Sequence, residues 1–122
     1  MRKIERLMNQ AIYDSRNWKV DNTETRVKRD FNGTRCLEIL LHGNKIAEIK
    51  YQPDYKELIL FWTDSRYFSR TTFSRQNAIL SQFIGPGVGL FHKKGTPYLQ
   101  FCFNLGPLDL TSQERFSFSI NN

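Results

Sequence analysis

Near the amino end, Ile4, Leu7, Met8, Ala11 and Ile12 recur at the i, i+3, i+4, i+7, i+8 spacing of one helical stripe. Arg2, Lys3, Glu5, Arg6, Asn9 and Gln10 take the other face. The spacing predicts a short amphipathic helix over 2–12. It must dock on its own domain or on a partner, because an isolated helix of that length is marginal in water.

From Asn22 the period changes towards two. Residues 23–29 alternate Thr and Val with charged types and read as an exposed edge strand, followed by a turn at Phe31-Asn32-Gly33-Thr34. Leu37, Ile39 and Leu41 then share one face, with Cys36, Glu38, Leu40 and His42 opposite. Gly43-Asn44 is a hairpin signal. The returning strand, 45–51, puts Ala47, Ile49 and Tyr51 on one side and Ile46, Glu48 and Lys50 on the other. Pro53-Asp54 breaks it, and Leu58–Trp62 is apolar on both faces, as a central strand is.

Thr71 and Thr72 are the candidate N-caps of a second helix running to about Phe83, with Phe73, Ile79, Leu80, Phe83 and Ile84 apolar and Gly85-Pro86-Gly87 as the stop. Residues 88–91 and 98–103 predict a hairpin about Lys94-Gly95. Beyond Gly106-Pro107 a last strand turns Phe116, Phe118 and Ile120 inward. The expected fold is α+β: a single domain over 1–122, mainly an antiparallel meander with one helix packed across it. Residues 1–15 form the N-terminal helix, 18–103 the α+β core and 104–122 a C-terminal extension with an edge strand.

Length and composition narrow the class. A chain of 122 residues with 39% apolar and 14% aromatic residues can build one core and is too hydrophobic for intrinsic disorder. No apolar run approaches the ~20 residues of a membrane span, and the start lacks a signal peptide's apolar region. A soluble cytoplasmic protein is therefore expected, with no membrane partner. Cys36 and Cys102 fall in apolar strand-like runs and read as buried thiols. With His42 and His92 they lack zinc spacing, so neither a metal nor a cofactor is expected.

Net charge is +6, and the distribution matters more than the total. No acidic residue lies between Ser65 and Leu108, whereas Arg66, Arg70, Arg75, Lys93 and Lys94 do; Arg26, Lys28 and Arg29 form a second cluster. Such a surface attracts polyanions, or is simply a solvated face. The sharpest candidate is the start of the second helix. There Arg66, Arg70 and Arg75 surround Thr71-Thr72, with Tyr67 and Phe68 available to stack on a base. The plain alternative is that the threonines only cap and the arginines pair with Asp64 and Glu57.

No catalytic constellation stands out. The acids are dispersed, and Asp64 with the two histidines would need folding to assemble an acid–base site. Gly85-Pro86-Gly87-Val88-Gly89 follows a helix instead of preceding one, which is the wrong polarity for a phosphate loop.

Leu41–Ile49, containing Leu41-His42-Gly43-Asn44-Lys45-Ile46-Ala47, together with Thr71–Leu80, containing Thr71-Thr72-Phe73-Ser74-Arg75-Gln76-Asn77-Ala78, resembles a family of small uncharacterised proteins of bacteriophages and mobile elements. The likeness runs from about Trp18 to Leu99. Members usually carry a short Gly-Trp-x-Thr link before the double threonine, whereas Thr63–Arg70 intervenes here. The resemblance implies a viral accessory role in a host cell's cytoplasm and assigns no active residues.

The leading expectation is a non-catalytic phage-type protein that binds nucleic acid or a host nucleoprotein complex through its basic surface, with counter-defence such as obstruction of a CRISPR effector as one use. A protein–protein inhibitor or assembly subunit, docking on a host protein or on further copies of itself by its first helix or an edge strand, is the second class. A sponge for a nucleotide signal is the third.

Overall fold

A computed structural model describes residues 2–61, 69–100, 106–111 and 115–120. The elements run α1 (Lys3–Tyr13), β1 (Trp18–Val20), β2 (Thr23–Arg29), β3 (Arg35–Leu41), β4 (Asn44–Tyr51), β5 (Lys56–Phe61), α2 (Arg70–Phe83), β6 (Gly89–Lys93), β7 (Thr96–Gln100), β8 (Leu108–Asp109) and β9 (Arg115–Ile120). Strands β1-β2-β3-β4-β5-β9 form one six-stranded sheet and β6-β7-β8 a second. Every pairing is antiparallel. The fold is α+β, with a meander at its centre.

Turn chemistry sets the hairpins. Residues His42 and Gly43 both take positive φ, +52° and +79°, as do Lys94 and Gly95 at +52° and +80°. That is the two-residue hairpin geometry whose twist matches the flanking strands. Leu41 pairs with Asn44, so the first of these turns is His42-Gly43, one residue earlier than the Gly43-Asn44 expected from sequence. The β2–β3 turn is held by Asp30, whose carboxylate accepts from the amides of Asn32 and Thr34, both at 2.9 Å.

One face of the large sheet supplies the core. Leu37, Ile39 and Leu41, Ala47 and Ile49, and Leu58 and Leu60 pack with Met8 and Ile12 of α1, Ile79 and Leu80 of α2, and Leu90, Leu99 and Leu110 of the small sheet and its flank. The period-two pattern foretold most of these. Ile46 breaks it: the register slips between Ile39/Leu40 and their partners, leaving Ile46 as the extra residue of a bulge. The bulge turns Ile46 into the core instead of onto the face shared by Glu48 and Lys50.

On that opposite face Cys36, Leu40 and Ile59 are buried too. Their cross-strand neighbours are long charged side chains, Lys28 and Lys50 beside Cys36, Lys45 beside Leu40 and Glu48 beside Ile59. Aliphatic stems of this kind cover apolar surface while their heads stay wet.

Two sequence expectations change. Strand β2 is the exposed edge only over Arg26–Arg29, because β1 pairs with Thr23–Thr25. The N-cap of α2 is Ser69, whose hydroxyl accepts from the Thr72 amide at 2.9 Å, and Thr71 and Thr72 lie inside the first turn. The β6–β7 hairpin pairs with β8 in a second sheet.

Candidate functional site

The start of α2 is organised by residues far away in sequence. The Arg75 guanidinium donates through Nη1 to Glu5 Oε2 at 2.8 Å and through Nε to Thr23 Oγ1 at 3.0 Å. Ser74 donates to the same Glu5 oxygen, and Asn9 Nδ2 donates to the Ala78 carbonyl at 3.1 Å. Contacts from Glu5 to Ser74 and Arg75, and from Asn9 to Ala78, advance together along both chains. The two helices therefore run side by side in the same direction, with their amino ends adjacent.

This pairing also turns α1 about its axis. Its buried positions are Glu5, Met8, Asn9, Ala11 and Ile12. Leu7, which the apolar stripe places inward, is exposed. Glu5 and Asn9 stand at i, i+3, i+4, i+7 with Met8 and Ile12, so the spacing was present in the sequence. Their polarity concealed it.

Strand β6 lies antiparallel against α2. Asn77 binds both backbone groups of Leu90, donating to its carbonyl at 3.0 Å and accepting from its amide at 2.6 Å. Two residues on, His92 stacks on Phe73 with ring centroids 4.3 Å apart and planes 7° from parallel. Following β6 thus leads back towards the start of α2, and the Lys93–Gly95 tip ends there.

The outcome is one cationic end. Arg2 and Lys3 begin α1, Arg70 begins α2, and Lys93 and Lys94 form the hairpin tip; all five are exposed. Among the described residues none of them forms an ion pair. First-turn amides of a helix lack intrahelical acceptors, and the dipole's positive end adds to the fixed charge. No side chain caps α1.

The other expected site residues lie elsewhere. Arg75 is buried and committed to Glu5 and Thr23, so it faces the interior and not a ligand. The reason is its place on α2, on the side that meets α1 and β2. Arg26, Lys28 and Arg29 sit on β2, which leaves the helix ends at Thr23 and carries Arg29 roughly 20 Å away along the strand. Arg26 binds Glu24 through two bonds, at 2.8 and 3.2 Å, which lowers the Glu24 carboxyl and raises the guanidinium. Lys28 pairs with Glu38 at 3.0 Å, and Arg29 donates to the Gly33 carbonyl. The basic clusters therefore do not converge on one face. Arg66, Tyr67 and Phe68, with Trp62, Asp64 and Cys102, lie outside the described residues.

Two further features were not foreseen. Gln76, fully buried, donates from Nε2 to the carbonyls of Ile46 at 3.0 Å and Phe61 at 2.9 Å. It ties α2 to the bulge of β4 and the end of β5. At the opposite end of the helices, Ile12, Tyr13, Ile49, Tyr51, Lys56, Phe83 and Ile120 line an apolar cavity of about 390 Å³. Among the described residues no three His, Cys, Asp or Glu side chains gather to hold a metal, and no helix is long and apolar enough to cross a membrane.

A family model described as the Kyanoviridae Gp96 protein matches residues 1–119. No curated protein and no solved structure matches the chain.

Proposed function

The chain belongs to the Kyanoviridae Gp96 family of phage proteins, and from that premise we propose that it is a non-catalytic accessory protein binding nucleic acid, or a host complex built on nucleic acid, through the cationic end of its helix pair. The observation that carries the reading is the parallel alignment of α1 and α2. It sets Arg2, Lys3, Arg70, Lys93 and Lys94, which come from three separate elements, around two adjacent helix starts. Phosphates meet there both fixed charge and free amide donors. An accessory protein with such a surface suits competition for a host's RNA or DNA, and obstruction of a nucleic-acid-guided defence complex is the use that fits it.

The test is oligonucleotide binding measured across a salt series for three proteins. Replacing Arg70, Lys93 and Lys94 together with Ala should weaken binding to single- and double-stranded probes alike. The slope of log affinity against log salt should flatten by about 0.7 to 0.9 per lost phosphate contact. Arg26→Ala with Lys28→Ala, which removes charge from β2, should leave the slope nearly as it was. Equal losses per removed charge in both variants, or salt-indifferent binding by the unmodified protein, would overturn the reading. Nucleotide released on denaturation of the purified protein would favour the signal-sponge alternative.

A further inference from the structure

Among the described residues, two like-charged pairs stand directly opposite each other across strands of the large sheet, and they differ. Glu38 and Glu48 are bridged by Lys45, at 3.4 and 3.0 Å. Arg29 and Arg35, the last pair before the β2–β3 turn, have no such bridge. Arg29 donates to the Gly33 carbonyl at 3.0 Å and Arg35 lies 4.9 Å over the Tyr51 ring. Among the described residues neither meets a carboxylate. The acids near them are engaged elsewhere: Glu24 by Arg26, Glu38 by Lys28, and Asp30 by the turn amides of Asn32 and Thr34. Like charges directly opposite destabilise a ladder, and a carboxylate from outside would relieve this pair.

The edge beside that pair is uncovered. Pairing with β1 stops at Trp18 opposite Thr25. Alternate residues of an antiparallel strand turn their backbone groups to the same side, and the Val27 amide points away from β3, to the Asn17 side chain at 2.7 Å. The Val27 carbonyl and both backbone groups of Arg29 therefore face outward, where among the described residues no strand lies. Two residues on, Phe31 is 98% exposed. It sits on a turn fixed by hydrogen bonds from Asn32, Gly33 and Thr34 to Asp30. Phe61 and Arg115 pair with each other at the other end of the strands, and Ile120 lies four strands across from β2, roughly 19 Å away.

We propose that this edge and turn dock an acidic, extended segment of a partner protein, added as a strand beside Val27–Arg29. Its backbone completes the outward ladder. A carboxylate opposite Arg29 meets that guanidinium in the two-pronged geometry arginine favours, with the Arg35 charge one strand behind. An apolar side chain beyond the ladder packs on Phe31, an aromatic anchor already held in place and so costing little order on binding. Cations along an edge turn away a second copy of the same edge, so the occupant is a different, acidic chain. A phosphate backbone would satisfy the guanidiniums but offers no strand to the outward ladder. This surface lies roughly 20 Å along β2 from the helix starts and stands or falls apart from the nucleic-acid reading.

Fluorescence anisotropy of the full chain with a short labelled peptide alternating glutamate and valine, ending in phenylalanine, tests this. The unmodified protein should bind it, and the same peptide with glutamine for glutamate should bind about tenfold more weakly or worse. Arg29→Glu turns the like-charged pair into an opposite one. It should unfold at a slightly higher urea concentration than the parent protein, yet lose about tenfold or more in peptide affinity. Phe31→Ala removes an exposed ring, so it should keep the parent's stability and lose affinity by a similar factor. Titrating the unmodified protein should shift the amide signals of residues 26–35. No binding, equal binding of the glutamine peptide, undiminished binding by Arg29→Glu or Phe31→Ala, or shifts centred on the start of α2 would overturn the proposal. So would displacement of the peptide by an oligonucleotide that shifts residues 26–35 itself, which would assign them to nucleic acid.

Discussion

Two sets of opposite charges hold this molecule together, and they act in different ways. Between the helices, Arg75 and Glu5 are both buried and meet at 2.8 Å, with Thr23 and Ser74 completing the set. On the outer face of the sheet, Glu38 and Glu48 stand directly opposite each other and are bridged by partly exposed lysines: Lys28 and Lys45 on Glu38, Lys45 and Lys50 on Glu48. The buried pair joins segments seventy residues apart and aligns two helices. The outer lattice joins neighbouring strands already fixed by their backbone ladder. Burial decides the difference. A charge removed from water must keep its partner, whereas an exposed one loses little when its partner goes.

The largest expected effect follows from Arg75. Arg75→Ala leaves the Glu5 carboxylate buried without its counter-charge and should cost about 3–5 kcal/mol in urea unfolding. Replacing both residues with Met should recover much of that loss, because no lone charge then remains inside. A cost well below 1 kcal/mol for Arg75→Ala would return Arg75 to the surface and to the anion site first expected of it.

Gln76→Leu comes next. It keeps a similar volume but strips the donor from two carbonyls, at the β4 bulge and at the end of β5. The expected cost is about 1–3 kcal/mol, accompanied by faster hydrogen exchange around Ile46 and Phe61. Exchange there unchanged from the parent protein would show that the bulge holds without α2.

Lys45→Met should have the smallest effect, below about 1 kcal/mol. Burial alone would lower the Lys45 ammonium, but the hydrogen bond to Glu48 and the fields of Glu48 and Glu38 overcome it and raise the group above its ordinary value. Its stabilising contribution is therefore complete below the ordinary lysine range and disappears as pH rises through the elevated folded value. The unmodified protein's advantage over the variant should be flat near neutrality, close in strong alkali, and shrink with salt. A gap that widens with alkali would reverse the sign assigned here.

The same contrast explains what could be read in advance. Local signals were legible: the stripe in α1, the alternation in β3 to β5 and in β9, the glycine turns at Gly43 and Gly95, and the stop after Phe83. The three-residue β1 and two-residue β8 carry no sequence signal, being too short for any period to appear. Ile46 faces the core against the local alternation because a bulge depends on the partner strand's register. The basic end was legible only in part. Arg70 stands at the helix start by sequence alone, whereas Lys93 and Lys94 approach it only through the packing of β6 on α2, Arg2 and Lys3 only through the docking of α1, and Arg75 turns inward for the same reason.

Hydrophobic period and turn chemistry, acting over a few residues, determined that this chain would be two helices and a meander. Which of its charges face water was decided by tertiary structure alone. A guanidinium's environment depends on the carboxylate folding brings against it, and for Arg75 that carboxylate lies seventy positions away, beyond the reach of any local pattern.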